Sequence, residues 1–501
     1  KKKAPHWLIS IMRLLGFVLV FSAVSAVPEN DKVTSIPGFE AVFETIAFEI
    51  YSGYLSVNLT GSGSEYSALS IHYEFHTCVK SNCPLAVWHQ GGPGGSAVFG
   101  AWTEMGPLQL MSQGPVTNFE DAWNNVAHML YLESPAGSTI ADIGTGFSSC
   151  FKNGVKQSIC QWNDVTQATA YAYTLKAFFD AFPEYKFLDL YLVGESYAGQ
   201  YIPNIATFLV NNPTVLNKNV SGIAVGNGCW GGSENEVRCN GYHDTEMDID
   251  IYHGKGLISK ALYSEIQSTC NFSIVTTSDD DDGKFSAFGQ ACETLLEQAE
   301  TAVGNYNVYN VYDDCKLDST LLKNKKELRN SLGSTTNYSS GYPWNCESDP
   351  ALDAYFTRSD VQEALHLING SGSGFSYILS GPASITLYPT LLKHMRILIY
   401  NGDADLCVPY LGNEFWVTSM VQDGYAVEAS AWKPWYDKDA SSYAPAGYVT
   451  TYAVPNKLYS NTTGAPDFSF LTIRLAGHMV PQYQPGASLV FFERFLNGSS
   501  F

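Results

Sequence analysis

The sequence predicts an α/β core, a mostly parallel central sheet flanked by helices, interrupted by an inserted cap. Three observations carry this. Short apolar runs alternate with helical patterns up to Gly228, and the same rhythm resumes at Ala351, as expected of strands joined by helical crossovers. Between them, from Cys229 to about Cys346, the texture changes to Cys-containing helical and loop segments, the kind of insertion such sheets carry in their connections. The chain has 501 residues, 45% hydrophobic, 14% aromatic and 15% charged, which excludes a disordered chain and suffices for one large domain with an insertion. The expected organisation is a leader over 1–26, a first core segment over 27–228, a cap over 229–345 and a second core segment over 346–501.

The elements follow in chain order. Met12-Arg13 is a minimal basic region, Leu14 to Phe21 is apolar, and Val24-Ser25-Ala26 is a small-residue cleavage site. This reads as a secretory signal peptide, with residues 1–11 an artefact of the gene model. The apolar run is too short to span a bilayer, so no stable membrane anchor is expected. Leu85 to Trp88 reads as a buried strand running into a Gly-rich turn, and Val126 to Leu132 as another. Gln167 to Phe182 has helical spacing. Leu188 to Val193 is a strand followed at once by Gly194 and a helical pattern, and Ile223 to Val225 ends at Gly226-Asn227-Gly228. Beyond the cap, which holds Asp279 to Asp282 and the basic stretch Lys323 to Lys326, Arg396 to Tyr400 and Phe468 to Leu475 are the last strands expected.

The balance of 28 basic and 49 acidic residues gives a net charge of −21. Such a surface repels phosphate backbones, so nucleic acid is not an expected partner; it suits an acidic compartment. Eleven Cys imply up to five disulfides and one thiol. Short spacing suggests Cys150 with Cys160 and Cys229 with Cys239, and Cys407 is a candidate for the odd thiol. Asn58, Asn219, Asn271, Asn337, Asn369, Asn461 and Asn497 each open a glycosylation sequon. The expected location is the secretory pathway, ending in a vacuole or lysosome or outside the cell.

Four segments carry chemistry. In Gly194-Glu195-Ser196-Tyr197-Ala198, a strand, a tight turn and a helix start expose Ser196 as a nucleophile, with Ala198 filling a position that needs only a small residue. Asp403 and Asp405 follow a late strand; Asp405, further out on the loop, is the expected orienting acid and Asp403 a turn former. His478 follows the last strand. The order Ser, Asp, His is that of the α/β-hydrolases. The run His89-Gln90-Gly91-Gly92-Pro93-Gly94-Gly95 aims backbone N–H groups at a developing oxyanion; it lacks the Lys and spacing of a phosphate loop.

With these motifs the sequence closely resembles the serine carboxypeptidases, from about Ile36 to the C-terminus. Gly194 to Tyr201 matches their nucleophile signature and Gly477-His478-Met479-Val480-Pro481 their histidine signature. Tyr51-Ser52-Gly53-Tyr54, Glu133-Ser134-Pro135-Ala136-Gly137 and Gly226-Asn227-Gly228 match further landmarks. The resemblance implies an α/β-hydrolase fold with Ser196 as nucleophile, His478 as general base and acid, and Asp405 as orienting acid. It implies an oxyanion hole from the N–H groups of Gly92 and Tyr197. It also implies that Gln90, Glu104 and Glu195 bind the substrate's C-terminal carboxylate and that Met479 lines the pocket for the leaving amino acid. Two positions depart from the family pattern. Gln90 stands where the family has Asn. Gly95 stands where it has Cys, leaving Cys346 without the partner that pattern would give it.

Other clusters read as non-catalytic. His243, Asp244, Glu246, Asp248, Asp250 and His253 fit no metal spacing and read as a solvated acidic face. Asp279 to Asp282 reads as an exposed loop and His89 as a packing or surface residue. The implied activity is release of C-terminal residues from peptides at acid pH through an acyl-enzyme, with no cofactor and no metal. The expected partners are peptides with a free C-terminal carboxylate; a homodimer is left open. Three alternatives stand beside it: an acyltransferase on the same scaffold, a lipase or esterase, and a stabilising partner in a lysosomal assembly.

Overall fold

The computed structural model describes residues 28–111, 114–140, 146–233, 236–240, 244–273, 288–304, 306–313, 349–368, 370, 372–441, 443–460 and 465–501. The signal peptide, Asn337, Asn369, Asn461, Cys315, Cys346, His243, Asp279 to Asp282 and Lys323 to Lys326 lie outside the described residues.

Twelve strands position the site: β1 (Ile50–Asn58), β2 (Ala68–His76), β3 (Leu85–His89), β4 (His128–Leu132), β5 (Ile159–Asn163), β6 (Leu190–Glu195), β7 (Gly222–Gly226), β8 (Gly374–Ile378), β9 (Arg396–Gly402), β10 (Val427–Trp435), β11 (Gly447–Ala453) and β12 (Phe468–Ile473). Ten of them follow one path through the main sheet, in the order β1-β2-β4-β3-β6-β7-β9-β12-β11-β10. The central six, β4 to β12 along that path, are parallel. Antiparallel strands finish both edges. β5 and β8 form a separate parallel pair, Ile159 facing Gly374 and Asn163 facing Ile378.

The central strands read as continuous apolar runs because both sheet faces are covered. Their alternation deals side chains to two layers. Val87, Leu192, Ile223 and Ile397 enter one apolar cluster; Trp88, Val193, Ala224 and Leu398 enter the other. Helices α2 (Asp164–Ala181) and α3 (Ala198–Asn211) cover the first face. Helix α1 (Ala97–Thr103) and a C-terminal helix, Pro485–Asn497, cover the second.

α2 begins three residues earlier than its apolar spacing suggested. Asn163 caps it, accepting from Val165 N at 3.1 Å and Thr166 N at 2.9 Å, while Thr166 Oγ1 accepts from Asn163 N at 3.0 Å.

The region expected as a cap contains α4 (Asp244–Gly254), α5 (Lys260–Thr269) and α6 (Gln290–Val303), packed around Ile249, Ile266 and Leu296. The same cluster takes in Leu406, so these helices rest on the loop after β9. The acidic run on α4 is not a fully solvated face. Asp248 is buried, and Asp250 accepts from Tyr263 Oη at 2.8 Å, because Ile249, Ile251 and Tyr252 turn that helix into the cluster.

Disulfides join Cys150 to Cys160 and Cys229 to Cys239, as the spacing suggested, and also Cys78 to Cys83 and Cys270 to Cys292. Among the described residues no helix is long and apolar enough to cross a membrane.

Candidate active site

Parallel strands align their carboxyl ends, and the site sits there. β4 lies on one side of β3 and β6 on the other, so the chain reverses its direction of winding between β3 and β6. A crevice opens at such a point. The Gly-rich loop leaves β3, Ser196 leaves β6, Asn227 leaves β7, Asp403 and Asp405 leave β9, and His478 follows β12.

Ser196 has φ +61°, a left-handed conformation costly for any residue with a Cβ. Its neighbours hold it there. Its N–H donates to Gly226 O at 3.0 Å, and its carbonyl accepts from Gly199 N at 2.8 Å and Cys229 N at 2.9 Å. The turn is tight where glycine stands. A Cβ on Gly194 would lie 2.2 Å from His89 O, and one on Gly199 would lie 2.4 Å from Cys229 O. Ala198 is buried with its methyl accommodated. Gly91 faces the turn directly: a Cβ there would stand 2.5 Å from Ser196 Cβ and 2.7 Å from Tyr197 N.

His478 and Asp405 are both buried and paired, Nδ1 to Oδ2 at 2.7 Å. Asp405 Oδ2 also accepts from Asn227 Nδ2 at 2.8 Å and Val408 N at 3.2 Å, and Oδ1 from Cys407 N at 2.8 Å. A carboxylate surrounded by donors only accepts, so Nδ1 of His478 is the donor to Asp405, and in the neutral imidazole Nε2 carries the lone pair. Nε2 is buried and makes no hydrogen bond among the described residues. Tyr309 braces this residue: its backbone carbonyl accepts the His478 backbone N–H at 2.7 Å, and its ring meets the imidazole edge-on at 5.1 Å. Met479 is buried beside it with Val308 and Tyr309, against half-buried Phe99, Tyr306 and Tyr483.

Asp403 meets other partners. Its Oδ1 accepts from Leu475 N at 2.7 Å, in a turn where Leu475 has φ +61°. It therefore shapes the approach to the His478 loop and does not touch the imidazole. The two loops abut, with Ala404 N donating to Ala476 O at 2.8 Å.

Gln90 lies between two buried carboxyls. Trp88 Nε1 donates to its Oε1 at 2.8 Å, which orients the amide and leaves Nε2 for the acids. Nε2 donates to Glu195 Oε1 at 2.7 Å and to Glu104 Oε1 at 3.2 Å. Both amide protons are thus engaged, so Gln90 tethers the acid pair; the sequence had suggested a donor waiting for substrate. Burial raises Glu104 to about 8. Burial first, and then the neighbouring Glu104 carboxyl, raise Glu195 well above the ordinary range. The Oε2 atoms of both are buried and make no hydrogen bond among the described residues.

The Gly-rich loop turns at Gly92, φ +118°, through a cis Gly92–Pro93 bond. Gly95 N donates to Gly91 O at 3.0 Å, and Thr139 bonds across to Gly94 and Ser96, holding the loop without a disulfide at position 95. A Cβ on Gly95 would lie 3.1 Å from Gln90 Cγ, so the small residue leaves room for the longer amide. His89 is buried between Tyr171 and Tyr201, centroids 4.9 and 4.4 Å away, with both ring nitrogens bonded. Of the two roles its sequence position suggested, packing or surface, the structure shows the first.

Sequence reasoning missed the bridging role of Asn227, the brace from Tyr309, and a buried carboxyl, Asp164, bonded to Tyr197 Oη at 2.8 Å. Asn227 stood in a recognised landmark. For Asp164 the only signal was its place beside a capping Asn163.

A family model described as serine carboxypeptidase matches residues 37–498. Similar curated proteins include serine carboxypeptidase-like 40 of Arabidopsis thaliana, 30% identical over 94% of this chain and 83% of that protein. They also include serine carboxypeptidase ctsa-4.1 of Caenorhabditis elegans, 28% identical over 98% and 99%. Among solved structures, Kex1(delta)p, a prohormone-processing carboxypeptidase from Saccharomyces cerevisiae, superposes with a TM-score of 0.59 at 19% identity, covering 93% of this chain and 95% of that one. That likeness concerns the fold, which is the α/β-hydrolase fold.

Proposed function

The chain belongs to the serine carboxypeptidase family and is a serine-type carboxypeptidase acting on peptides; from that premise we propose that Ser196, His478 and Asp405 form its catalytic triad. Ser196 Oγ attacks the last peptide carbonyl and its proton passes to His478 Nε2. Asp405 holds the imidazole in the required tautomer and stabilises the imidazolium. The N–H groups of Gly92 and Tyr197 receive the developing oxyanion. Support for Tyr197 is that nothing among the described residues accepts its N–H. His478 then returns the proton to the leaving amine, the C–N bond breaks, and water hydrolyses the ester on Ser196 by the same exchange in reverse.

The observation that favours a free C-terminus over an ester or an acyl acceptor is the buried acid pair beside the nucleophile. Two ionised Glu would repel a carboxylate. With pKa values raised as they are, Glu104 and Glu195 retain a proton at acid pH and donate a hydrogen bond to it. The 3.2 Å bond from Gln90 to Glu104 is the longer of its two and the one a substrate carboxylate would replace. The apolar wall of Met479, Val308 and Tyr309 then receives the side chain of the released residue.

The four disulfides among the described residues fit an oxidising compartment. We place the enzyme in the secretory pathway, with a vacuole, a lysosome or the exterior as its destination. Asn58, Asn219, Asn271 and Asn497 are exposed and are proposed glycan sites.

The test of the nucleophile is covalent labelling. A fluorophosphonate probe should modify Ser196 and stop peptide hydrolysis, and Ser196→Ala should lose both labelling and turnover while its melting temperature stays near that of the parent. A Ser196→Ala protein with parental turnover would end this reading.

A further inference from the structure

We propose that Asp164 is a positioning residue for the oxyanion hole: it grips the Tyr197 phenol and so fixes the Tyr197 backbone N–H over the reacting carbonyl. This rests on the reading of Tyr197 as an oxyanion donor.

Asp164 opens α2, at the end of β5, and is fully buried. Its Oδ1 accepts from Tyr197 Oη at 2.8 Å and Tyr377 Oη at 3.0 Å, and its Oδ2 from Ser380 N at 3.0 Å. Burying a carboxyl is costly, and this one is surrounded by donors, one of them the residue after the nucleophile. Burial raises its pKa to about 7 while the bonds from Tyr197, Ser380 and Tyr377 pull it down.

The grip matters because of where Tyr197 stands. The peptide that carries its N–H follows Ser196, whose φ of +61° is strained and would relax if the next Cα could move. Tyr197 is fully buried. Its ring meets Tyr201 and Tyr377 edge-on, at 4.9 and 5.7 Å, which fixes the ring plane. Apolar edges do not stop a ring from sliding in its plane; the bond to Asp164 does.

The same support reaches the other donor. Tyr377 lies on β8, paired with β5, and stacks on Phe375 of the same strand at 5.8 Å. Phe375 fills the space under the Gly-rich loop: a Cβ on Gly94 would lie 2.6 Å from its ring. The small β5–β8 sheet therefore underlies both halves of the proposed oxyanion hole, and Asp164 ties it to the nucleophile turn.

The experiment is a double-mutant cycle on kcat and KM with a blocked dipeptide and the matching ester, each enzyme's competent sites counted by fluorophosphonate titration to end point. Asp164→Asn and Tyr197→Phe should each lower kcat by about tenfold or more on both substrates, since both pass through the same oxyanion, with KM within about twofold. The double variant should be no slower than the slower single one, because the two act through one bond. The idea is overturned if kcat stays within about twofold of the parent while only the melting temperature falls, or if the two losses multiply. Should Asp164→Asn not fold, Tyr197→Phe, which deletes one buried oxygen, decides by the same kcat criterion. Parental turnover in Ser196→Ala would instead remove the reading of the whole site; an inactive Ser196→Ala with an unimpaired Tyr197→Phe would remove this proposal alone.

Discussion

Asp403 and Asp405 stand two positions apart on one loop, and the residue scale separates them. Asp405 accepts from His478, Asn227 and two backbone N–H groups; Asp403 accepts from Leu475 N across the turn. Asp405→Asn replaces one acceptor oxygen with a donor facing other donors, which disturbs the imidazole tautomer. We expect it to lower kcat by about 10³–10⁴-fold, while Asp403→Asn loses about tenfold or less. Steady-state kinetics on one peptide substrate settles the ranking, and the opposite order would mean that Asp403 is the orienting acid. The sequence preferred Asp405 for its place further out on the loop, and it is Asp405 that meets His478. The state of Gln90 was not legible in the same way. Its amide type was clear, but its direction depends on Trp88, which shares its side of the chain, and on two carboxyls brought in from Glu104 and Glu195. The i, i+2 relation of Trp88 and Gln90 was an available signal.

At the scale of elements, the turn between β6 and α3 works because Gly91 lets the Gly-rich loop lie against it. Gly91→Ala would put a methyl 2.5 Å from Ser196 Cβ and 2.7 Å from Tyr197 N, against backbone that has little room to shift. We expect a loss of about 1–3 kcal/mol in stability and at least about 100-fold in kcat, read by denaturant titration and kinetics. Parental kinetics in that variant would show that the loop does not touch the nucleophile turn. The strands of the central sheet were legible because strands covered on both faces are unbroken apolar runs, and their limits moved by only a few residues. The start of α2 was set by its Asn163 cap and not by the apolar spacing. The β5–β8 pair was not legible: Ile159 and Gly374 are neighbours in space but far apart in sequence, and Ile159 and Ile378 at its two ends are exposed. With it went the partners of Asp164, since neither Tyr377 nor Tyr197 is near it in sequence.

For the whole molecule, buried acids and buried imidazoles set the response to pH. Glu104 and Glu133 are raised to about 8 and Asp164 to about 7, each by burial. They stay protonated in the fold where the unfolded chain would ionise, so their contribution is full below their ordinary values and is lost as pH rises through about 7–8. Burial lowers His72, His89 and His128 to about 4, so they oppose folding as pH falls below 6.5. The two sets offset one another in acid; above about pH 6.5 only the acids change, and the charge of −21 adds repulsion. The melting temperature should therefore fall between about pH 6.5 and 8, measured by calorimetry at fixed ionic strength; a flat or rising trace would mean that these acids are not protonated in the fold. On the proposed reading, protonated acids also let this enzyme accept a negatively charged chain end, which makes the proton on the Glu104–Glu195 pair the centre of the account. The most direct test is kcat/KM against pH for a blocked dipeptide and for its C-terminal amide. The account predicts that the free acid is preferred at acid pH, and that this preference fades as pH rises through about 8 while the amide is still turned over. Superimposable profiles with no preference for the free acid would contradict it.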